Sequence, residues 1–338
     1  MMQALLSRLA AGQDLTAPQA SSAMELIATG QATDAQVAAV LTALRMKGET
    51  ADEITGFVRE LQRHAVTILP DVRGRLVDTC GTGGDGARTF NISTAAALVA
   101  AGAGVPVVKH GNRSVSSSSG SADVLEALGV RLELPPERVR EIVEETGIAF
   151  LFAPAFHPAL RYAAAARRDL GFPTVFNLIG PLMNPAGACA RLCGVYSPAL
   201  ITRFATTLMA LGTEHAMVVH GHGLDEITVC GPTTVAEIDT GSVRHYTIDP
   251  REYGIPLAPL SDLAGQSPEK NASIIRHILS GEQGAARNVV VLNAGAAIYL
   301  GGEAPDLAHG IERANEAIDT GAAAERLDAL ILASRREP

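Results

Sequence analysis

Four glycines fall within six positions of the run Asp78-Thr79-Cys80-Gly81-Thr82-Gly83-Gly84-Asp85-Gly86, and Thr89-Phe90-Asn91-Ile92-Ser93-Thr94 follows at the start of a helical pattern. A backbone that bare can approach a ligand closely and turn several N–H groups toward it, and a helix N-terminus adds about half a positive charge. Together they suit an oligophosphate. The plainer alternative is a capped turn between strand and helix, which needs one glycine rather than four. Gly81, Gly83 and Gly86 satisfy G-x-G-x-x-G, yet the helix begins about seven residues late for a dinucleotide fold, and the next strand ends in Lys109-His110 where a ribose-binding acid belongs. Ala87-Arg88 stand where a Walker loop carries Lys and Ser or Thr, so NAD binding and purine nucleotide hydrolysis are both disfavoured.

A second loop, Lys109-His110-Gly111-Asn112-Arg113-Ser114-Val115-Ser116-Ser117-Ser118-Ser119-Gly120-Ser121, again lies between a strand and a helix. Lys109 and Arg113 offer cationic donors and the serines neutral ones, a mixture that binds phosphate without a large positive field. Alone it reads as readily as a solvated loop. Two such loops at the carboxyl edge of consecutive parallel strands, however, stand where open α/β sheets bind ligands. Asp225-Glu226 follows the strand ending at Val219-His220 through Gly221-His222-Gly223-Leu224. Adjacent carboxylates on a turn point apart, which fits two neighbouring Mg²⁺ ions, or one ion and its water shell, better than an acid/base pair; a solvated acidic turn is the alternative. His220 and His222 have no matching cluster of His or Cys, which disfavours zinc. Arg167 and Arg168 close an Ala-rich helix, where both complement the helix dipole and one could fork onto a carboxylate. Cys189 and Cys193 read as buried thiols.

Two textures of chain must position these residues. The first is helical: Thr33 with Gln36 and Thr50 with Glu53 are capping-box pairs, each opening an apolar stripe, Val37, Val40, Leu41, Leu44 and then Ile54, Phe57, Val58, Leu61. Gly48 ends the first of these helices, another precedes it between Thr16 and Gly30, and the unit runs out near Pro70 to Gly74. So few short helices bury little alone, and their stripes must pack on the rest of the chain or on a second copy. From Leu76 short β-branched runs alternate with Ala-rich helices: Leu76-Val77, the helix from Ser93-Thr94 to Gly102, Val105–Val108, Ala122–Leu128, Ile148–Phe152, Pro198–Leu211, Ala216–Val219 and Val289–Leu292. The expected fold is α/β, a small all-helical N-terminal domain plus a larger domain whose mainly parallel central sheet is flanked by helices. Glu226–Val229, Val235–Ile238 and Val243–Ile248 are close enough to add hairpins to it.

Composition sets the outer limits. The 338 residues exceed what one core usually organises. Acidic residues outnumber basic ones 36 to 27, a net charge of −9 that repels nucleic-acid backbones and anionic lipid, and aromatics are 4% with no Trp. Four cysteines without a C-x-x-C are no disulfide framework, Met1 to Ala11 lacks the basic and apolar regions expected of a signal peptide, and no apolar run of about 18 residues occurs. The expected setting is cytoplasmic.

The runs Val77–Gly86, Lys109–Arg113, Ser119–Gly129, Phe176–Leu182 and Leu224-Asp225-Glu226, in this order, with Asn293-Ala294-Gly295-Ala296-Ala297 after them, resemble the anthranilate phosphoribosyltransferases of tryptophan synthesis, over nearly the whole chain. The resemblance implies a helical domain over residues 1–72, with a helical return near 158–185, and a phosphoribosyl-pyrophosphate-binding α/β domain over 73–338. It implies a homodimer through the helical domain, an anthranilate synthase contact, and no nucleic-acid or membrane partner. Its small-molecule partners are anthranilate and phosphoribosyl pyrophosphate (PRPP), and its cofactor is Mg²⁺, two ions per subunit. Carried across residue by residue, PRPP falls on Gly81, Gly84, Asp85, Thr89, Asn91, Ile92, Ser93, Thr94, Lys109, His110, Gly111, Asn112, Arg113, Ser114, Val115, Ser116, Ser117 and Ser121. Ser93 and Glu226 hold one Mg²⁺, Asp225 and Glu226 the other. Gly81, Asn112 and Arg167 meet anthranilate, Arg167 by forking onto its carboxylate. Asp225, Glu226, Lys109 and Arg167 are the expected catalytic set. The turn before Asp225 is one residue shorter than the family's usual form. Two rivals are a pyrimidine nucleoside phosphorylase of the same fold group, whose pocket would not want a carboxylate fork, and a non-catalytic nucleic-acid-binding paralogue, which the net charge opposes.

Overall fold

The computed structural model describes residues 1–114 and 119–336. Four helices open the chain: α1 (Met2–Ala10), α2 (Ala17–Ala28), α3 (Asp34–Lys47) and α4 (Ala51–Arg63). Threonine starts three of them. Thr33 Oγ1 accepts from Gln36 N–H while Gln36 Oε1 accepts from Thr33 N–H, Thr50 and Glu53 do the same, and Thr16 with Gln19 forms a third such box. Each reciprocal pair satisfies two backbone donors that the first turn leaves over. Both apolar stripes read from the sequence are buried.

A seven-stranded sheet follows, its parallel part built by β1 (Val77–Gly81), β2 (Val107–Gly111), β3 (Ile148–Phe152), β4 (Ala190–Gly194) and β5 (His215–Gly221), with β6 (Thr233–Asp239) and β7 (Ser242–Ile248) as an antiparallel edge. The strand order is β3-β2-β1-β4-β5-β6-β7. Between the strands run α5 (Ile92–Gly102), α6 (Ser121–Leu128), α7 (Pro136–Thr146), the short α8 (Ala153–Phe156), α9 (Arg161–Leu170), α10 (Val175–Ile179) and α11 (Ile201–Ala210). After the sheet come α12 (Pro268–Leu279), α13 (Ala285–Leu300), α14 (Leu307–Asp319) and α15 (Ala322–Arg335). The chain winds outward from β1 to β3 and then returns to place β4 on β1's other side. That reversal opens a crevice at the carboxyl ends of β1 and β4, the switch point where open α/β sheets take their ligands.

Two cores hold the sheet. One face packs under α5 and α13, with Leu98, Val107, Leu192, Val290 and Ile298 in one buried cluster. The other face contributes Cys80, Cys193, Ala216 and Val218 to a cluster shared with α1–α4 and α9–α11, including Leu41, Phe57, Val175 and Phe204. The N-terminal helices therefore find their partner surface on the same chain, through α9, which packs on α2 and α3, and through α11, which bridges α4 and the sheet.

Two sequence expectations need correction. Val289–Leu292 is helix, the middle of α13, where every side chain is buried. An element enclosed on all sides shows no helical periodicity, and its β-branched run mimics a strand. Glu226–Val229 is no strand; side chains take the N–H groups that a ladder would use, Ile227 to Asn293 Oδ1 at 3.0 Å and Thr228 to Thr233 Oγ1 at 3.1 Å. The other two runs do pair as the β6–β7 hairpin.

Candidate active site

At the switch point Asp225 lies against two strand ends. A methyl group at Gly81 would displace its carboxylate, and one at Gly194 would overlap its main-chain carbonyl, so Gly194 admits no side chain and Gly81 admits one only if the carboxylate moves. Beyond β1 the loop turns through Gly83, Gly84 and Gly86 at φ +63°, +79° and +71°, where L side chains are strained. Gly83 N–H donates to Asp225 Oδ2 at 2.7 Å. The loop's far limb is clamped by the segment before α12: Phe90 N–H donates to Leu263 O at 3.0 Å, and Gly265 N–H to Arg88 O at 2.7 Å.

The first turn of α5 faces the second carboxylate. Ser93 N–H donates to Glu226 Oε1 at 3.2 Å, and Lys109 Nζ, buried on β2, donates to Ser93 Oγ at 3.1 Å and to the Thr79 carbonyl. Thr79 Oγ1 closes the ring on Ser93 O at 3.1 Å. Burial, then the neighbouring Asp85, pushes Asp225 up to about 7. Burial, then Asp225, pushes Glu226 up to about 8. Burial also lowers Lys109, against the pull of Asp78. Crowded carboxylates with one weakened cation beside them call for external positive charge. Two carboxylates and a hydroxyl leave a hard divalent ion most of its coordination for phosphate and water, which is how Mg²⁺ binds. Among the described residues no group of three His, Cys, Asp or Glu could hold a metal by protein ligands alone. His220 Nδ1 is instead engaged with Val195 O at 2.8 Å. The shortened turn before Asp225 is closed by paired bonds between Gly221 and Leu224, 2.9 Å each, and still delivers both carboxylates to the loop and the helix.

The Ser-rich loop starts at β2 and is tied at both ends. Asp123 Oδ2 accepts from Ser114 N–H and Gly120 N–H, 2.9 Å each, and Asn112 O accepts from Ser121 Oγ at 3.4 Å. Val115, Ser116 and Ser117, expected on PRPP, lie outside the described residues. Arg113, expected on the same ligand, is turned outward onto Glu126 at 2.7 Å and Asp123 at 3.3 Å. Asn91 joins the two loops: its amide donates to Ser119 O at 3.1 Å, and its Oδ1 accepts from Ser119 Oγ at 3.2 Å and Asn271 Nδ2 at 3.0 Å. His110 is buried near the carboxyl end of the inner strand β2, its main-chain N–H on Asp78 Oδ1 at 3.3 Å and its ring edge-on to His157 at 5.0 Å; burial lowers it to about 4.

Arg167, at the end of α9, lies apart from this cluster of bonded residues. Its guanidinium stands 4.9 Å from the Phe176 ring centre, burial lowers its pKa, and no carboxylate pairs with it among the described residues. Arg168 is exposed, with Asp169 at 3.8 Å. A half-buried guanidinium with an aromatic floor and no anion beside it has the chemistry to accept a carboxylate.

Several contributors are not legible in the sequence as site residues: Gly194, Asp123, Asn271 and Asn293. Only Asp123 carries a usable local signal, an acid at the third position of a helix opening at Gly120. The others act across long stretches of chain, and no spacing rule reaches them.

Known proteins match this architecture throughout. A family model described as the a/b domain of a glycosyl transferase family covers residues 73–324, and one for the helical bundle domain of the same family covers 3–65. An anthranilate phosphoribosyltransferase from Methanocorpusculum labreanum is 53% identical over 334 residues, 99% of this chain and 98% of that one. The crystal structure of the Thermus thermophilus anthranilate phosphoribosyltransferase superposes with a TM-score of 0.93 at 43% identity, over 98% of this chain and 99% of that one. The structure of the Saccharomyces cerevisiae enzyme in complex with PRPP and Mg does so with 0.90 at 29% identity, over 98% and 97%. Matched over nearly its whole length by these relatives and by both domain models, this chain belongs to the anthranilate phosphoribosyltransferase family.

Proposed function

We propose that the protein transfers the phosphoribosyl group of PRPP to the amine of anthranilate, giving N-(5-phosphoribosyl)anthranilate and pyrophosphate, with Mg²⁺, as a step of tryptophan biosynthesis. The observation that carries this reading is the double contact of Asp225 with Gly83 N–H and Glu226 with Ser93 N–H. It joins an acidic pair to a phosphate-type loop and a helix start in one crevice.

Displacement at the anomeric carbon breaks the bond to pyrophosphate as the bond to nitrogen forms, so positive charge grows on the sugar and negative charge on the leaving group. Bound Mg²⁺ supplies positive charge to that leaving group. Ser93 and Glu226 hold one ion in this reading, and Asp225 and Glu226 a second. Gly81, Gly84, Asp85, Thr89, Asn91 to Thr94, Lys109 to Ser117 and Ser121 bind PRPP. Lys109 is kept in place by Thr79 and Ser93, and adds a fixed cation whose bonds need no rearrangement as charge develops. Arg113 reaches the ligand only by leaving Glu126. Gly81, Asn112 and Arg167 bind anthranilate, and Arg167's lack of an acidic partner favours a carboxylate-bearing acceptor over a pyrimidine. The arylamine lone pair is free at neutral pH, so no strong base is demanded, and His110 stays neutral in the sheet.

The same proposal takes residues 1–72 with the return at 158–185 as one unit and 73–338 as the other, with closure between them bringing Arg167 to the loops. A homodimer through the helical unit belongs to the same proposal. No described helix is long and apolar enough to cross a membrane, and a cytoplasmic setting belongs to the proposal. Mass-spectrometric product analysis tests the reading: equimolar phosphoribosylanthranilate and pyrophosphate are expected. Phosphate-dependent cleavage of a nucleoside instead would move the chain to the phosphorylase reading.

A further inference from the structure

Asn293 lies at the centre of α13 with no accessible surface, and its amide is engaged with a turn that no helix or strand contains. Its Oδ1 accepts from Ile227 N–H at 3.0 Å; its Nδ2 donates to Ile227 O at 2.7 Å and to Val289 O at 2.8 Å. One side chain thus takes both backbone groups of the residue after Glu226. The third bond, one turn back along α13, fixes the amide's own orientation. The clamp also rests on a rigid element. Two residues on, Gly295 lets α14 press so close that a methyl group there would stand 2.8 Å from Ile311.

The geometry does more than satisfy a buried turn. Residues 225–227 leave β5 through a tight reversal, and the φ and ψ angles of Glu226 and Ile227 set where both carboxylates stand. Asn293 fixes this segment from α13, which packs against α5 on the same face of the sheet. Carboxylates that share a metal site must be held to about half an ångström, and partners that orient such ligands govern affinity without touching the ion.

We propose that Asn293 is a positioning residue for Asp225 and Glu226, setting the angle at which the pair meets metal and pyrophosphate. The inference rests on the metal reading of that pair. Its consequence is selective: metal affinity falls when the clamp is lost, and acceptor binding does not.

The test is Mn²⁺ binding followed by electron paramagnetic resonance in the presence of pyrophosphate, with the Mg²⁺ dependence of turnover alongside. Asn293→Asp keeps the shape and one acceptor, and carries the test if Asn293→Ala folds poorly. Ile298→Val serves as a control that loosens α13 packing away from the clamp, and Asp225→Asn as a control for the metal reading. Mn²⁺ binding weakened about 10- to 100-fold in the Asn293 variants is expected. The half-saturating Mg²⁺ concentration should rise in parallel, while KM for anthranilate stays within about twofold. Wild-type Mn²⁺ affinity in a folded Asn293 variant, with affinity lost in Asp225→Asn, overturns the inference alone. Equal weakening in Ile298→Val also overturns it, by making the effect general to the helix. Undiminished affinity in Asp225→Asn overturns the metal reading beneath it.

Discussion

Asp225 is poorly placed as an isolated acid and well placed as half of a pair awaiting cations. Burial and Asp85 keep its proton on into the neutral range, so in the metal-free protein it contributes no favourable ion pair. Asp225→Ala is accordingly expected to lower kcat by about 100-fold or more. The melting temperature of the metal-free protein should be unchanged or higher, which calorimetry reads directly; wild-type-like turnover would contradict the metal assignment. Arg167 makes the complementary case. A desolvated guanidinium facing a carboxylate is worth about 1.5–3 kcal/mol, so Arg167→Gln should raise KM for anthranilate about 10- to 100-fold and leave KM for PRPP nearly unchanged. Steady-state kinetics in both substrates separates the two. Equal rises in both would instead make Arg167 a support for the whole crevice.

The elements that position these residues depend on two strand ends without side chains. Gly194→Ala sets a methyl group on the Asp225 carbonyl, and turnover should fall more than about tenfold even in folded protein. Gly212→Ala is the control, at φ +84° with open space around it; it should cost about 1 kcal/mol of stability and leave turnover alone. Urea unfolding and turnover of the two variants decide whether close approach or backbone strain matters. Much at this scale is legible in the sequence. The threonine caps of α3 and α4 announce themselves within four residues, and so does the bare loop after β1, because the interactions are local. The strand β4 is not: its residues draw notice only as a cysteine spacing, and a five-residue strand buried throughout offers no alternation. The β-branched centre of α13 reads as strand for the same reason, tertiary burial outweighing local preference. The pairing of Gly194 with Asp225 arises only when the chain reverses at β1.

At the scale of the molecule, the helical unit and the sheet share one core, and the acidic crevice opens where the sheet's winding changes direction. That crevice links proton binding to stability. Asp225 and Glu226 rise from ordinary values of 3.8 and 4.5 to about 7 and about 8. Across that window the metal-free folded state holds more protons than the unfolded chain, so this pair's contribution to stability falls as pH rises. In the proposed reading Mg²⁺ binds the deprotonated pair, so the gain in melting temperature on adding Mg²⁺ and pyrophosphate should grow from about pH 6 to about pH 8.5. A gain independent of pH would remove the carboxylates from the metal site. Mg²⁺-dependent phosphoribosyl transfer to anthranilate is read by following anthranilate fluorescence in the presence of purified protein, PRPP and Mg²⁺, with EDTA as the control. Loss of fluorescence that stops with EDTA and matches the pyrophosphate released is the predicted result; an unchanged signal from folded, PRPP-stabilised protein would contradict it.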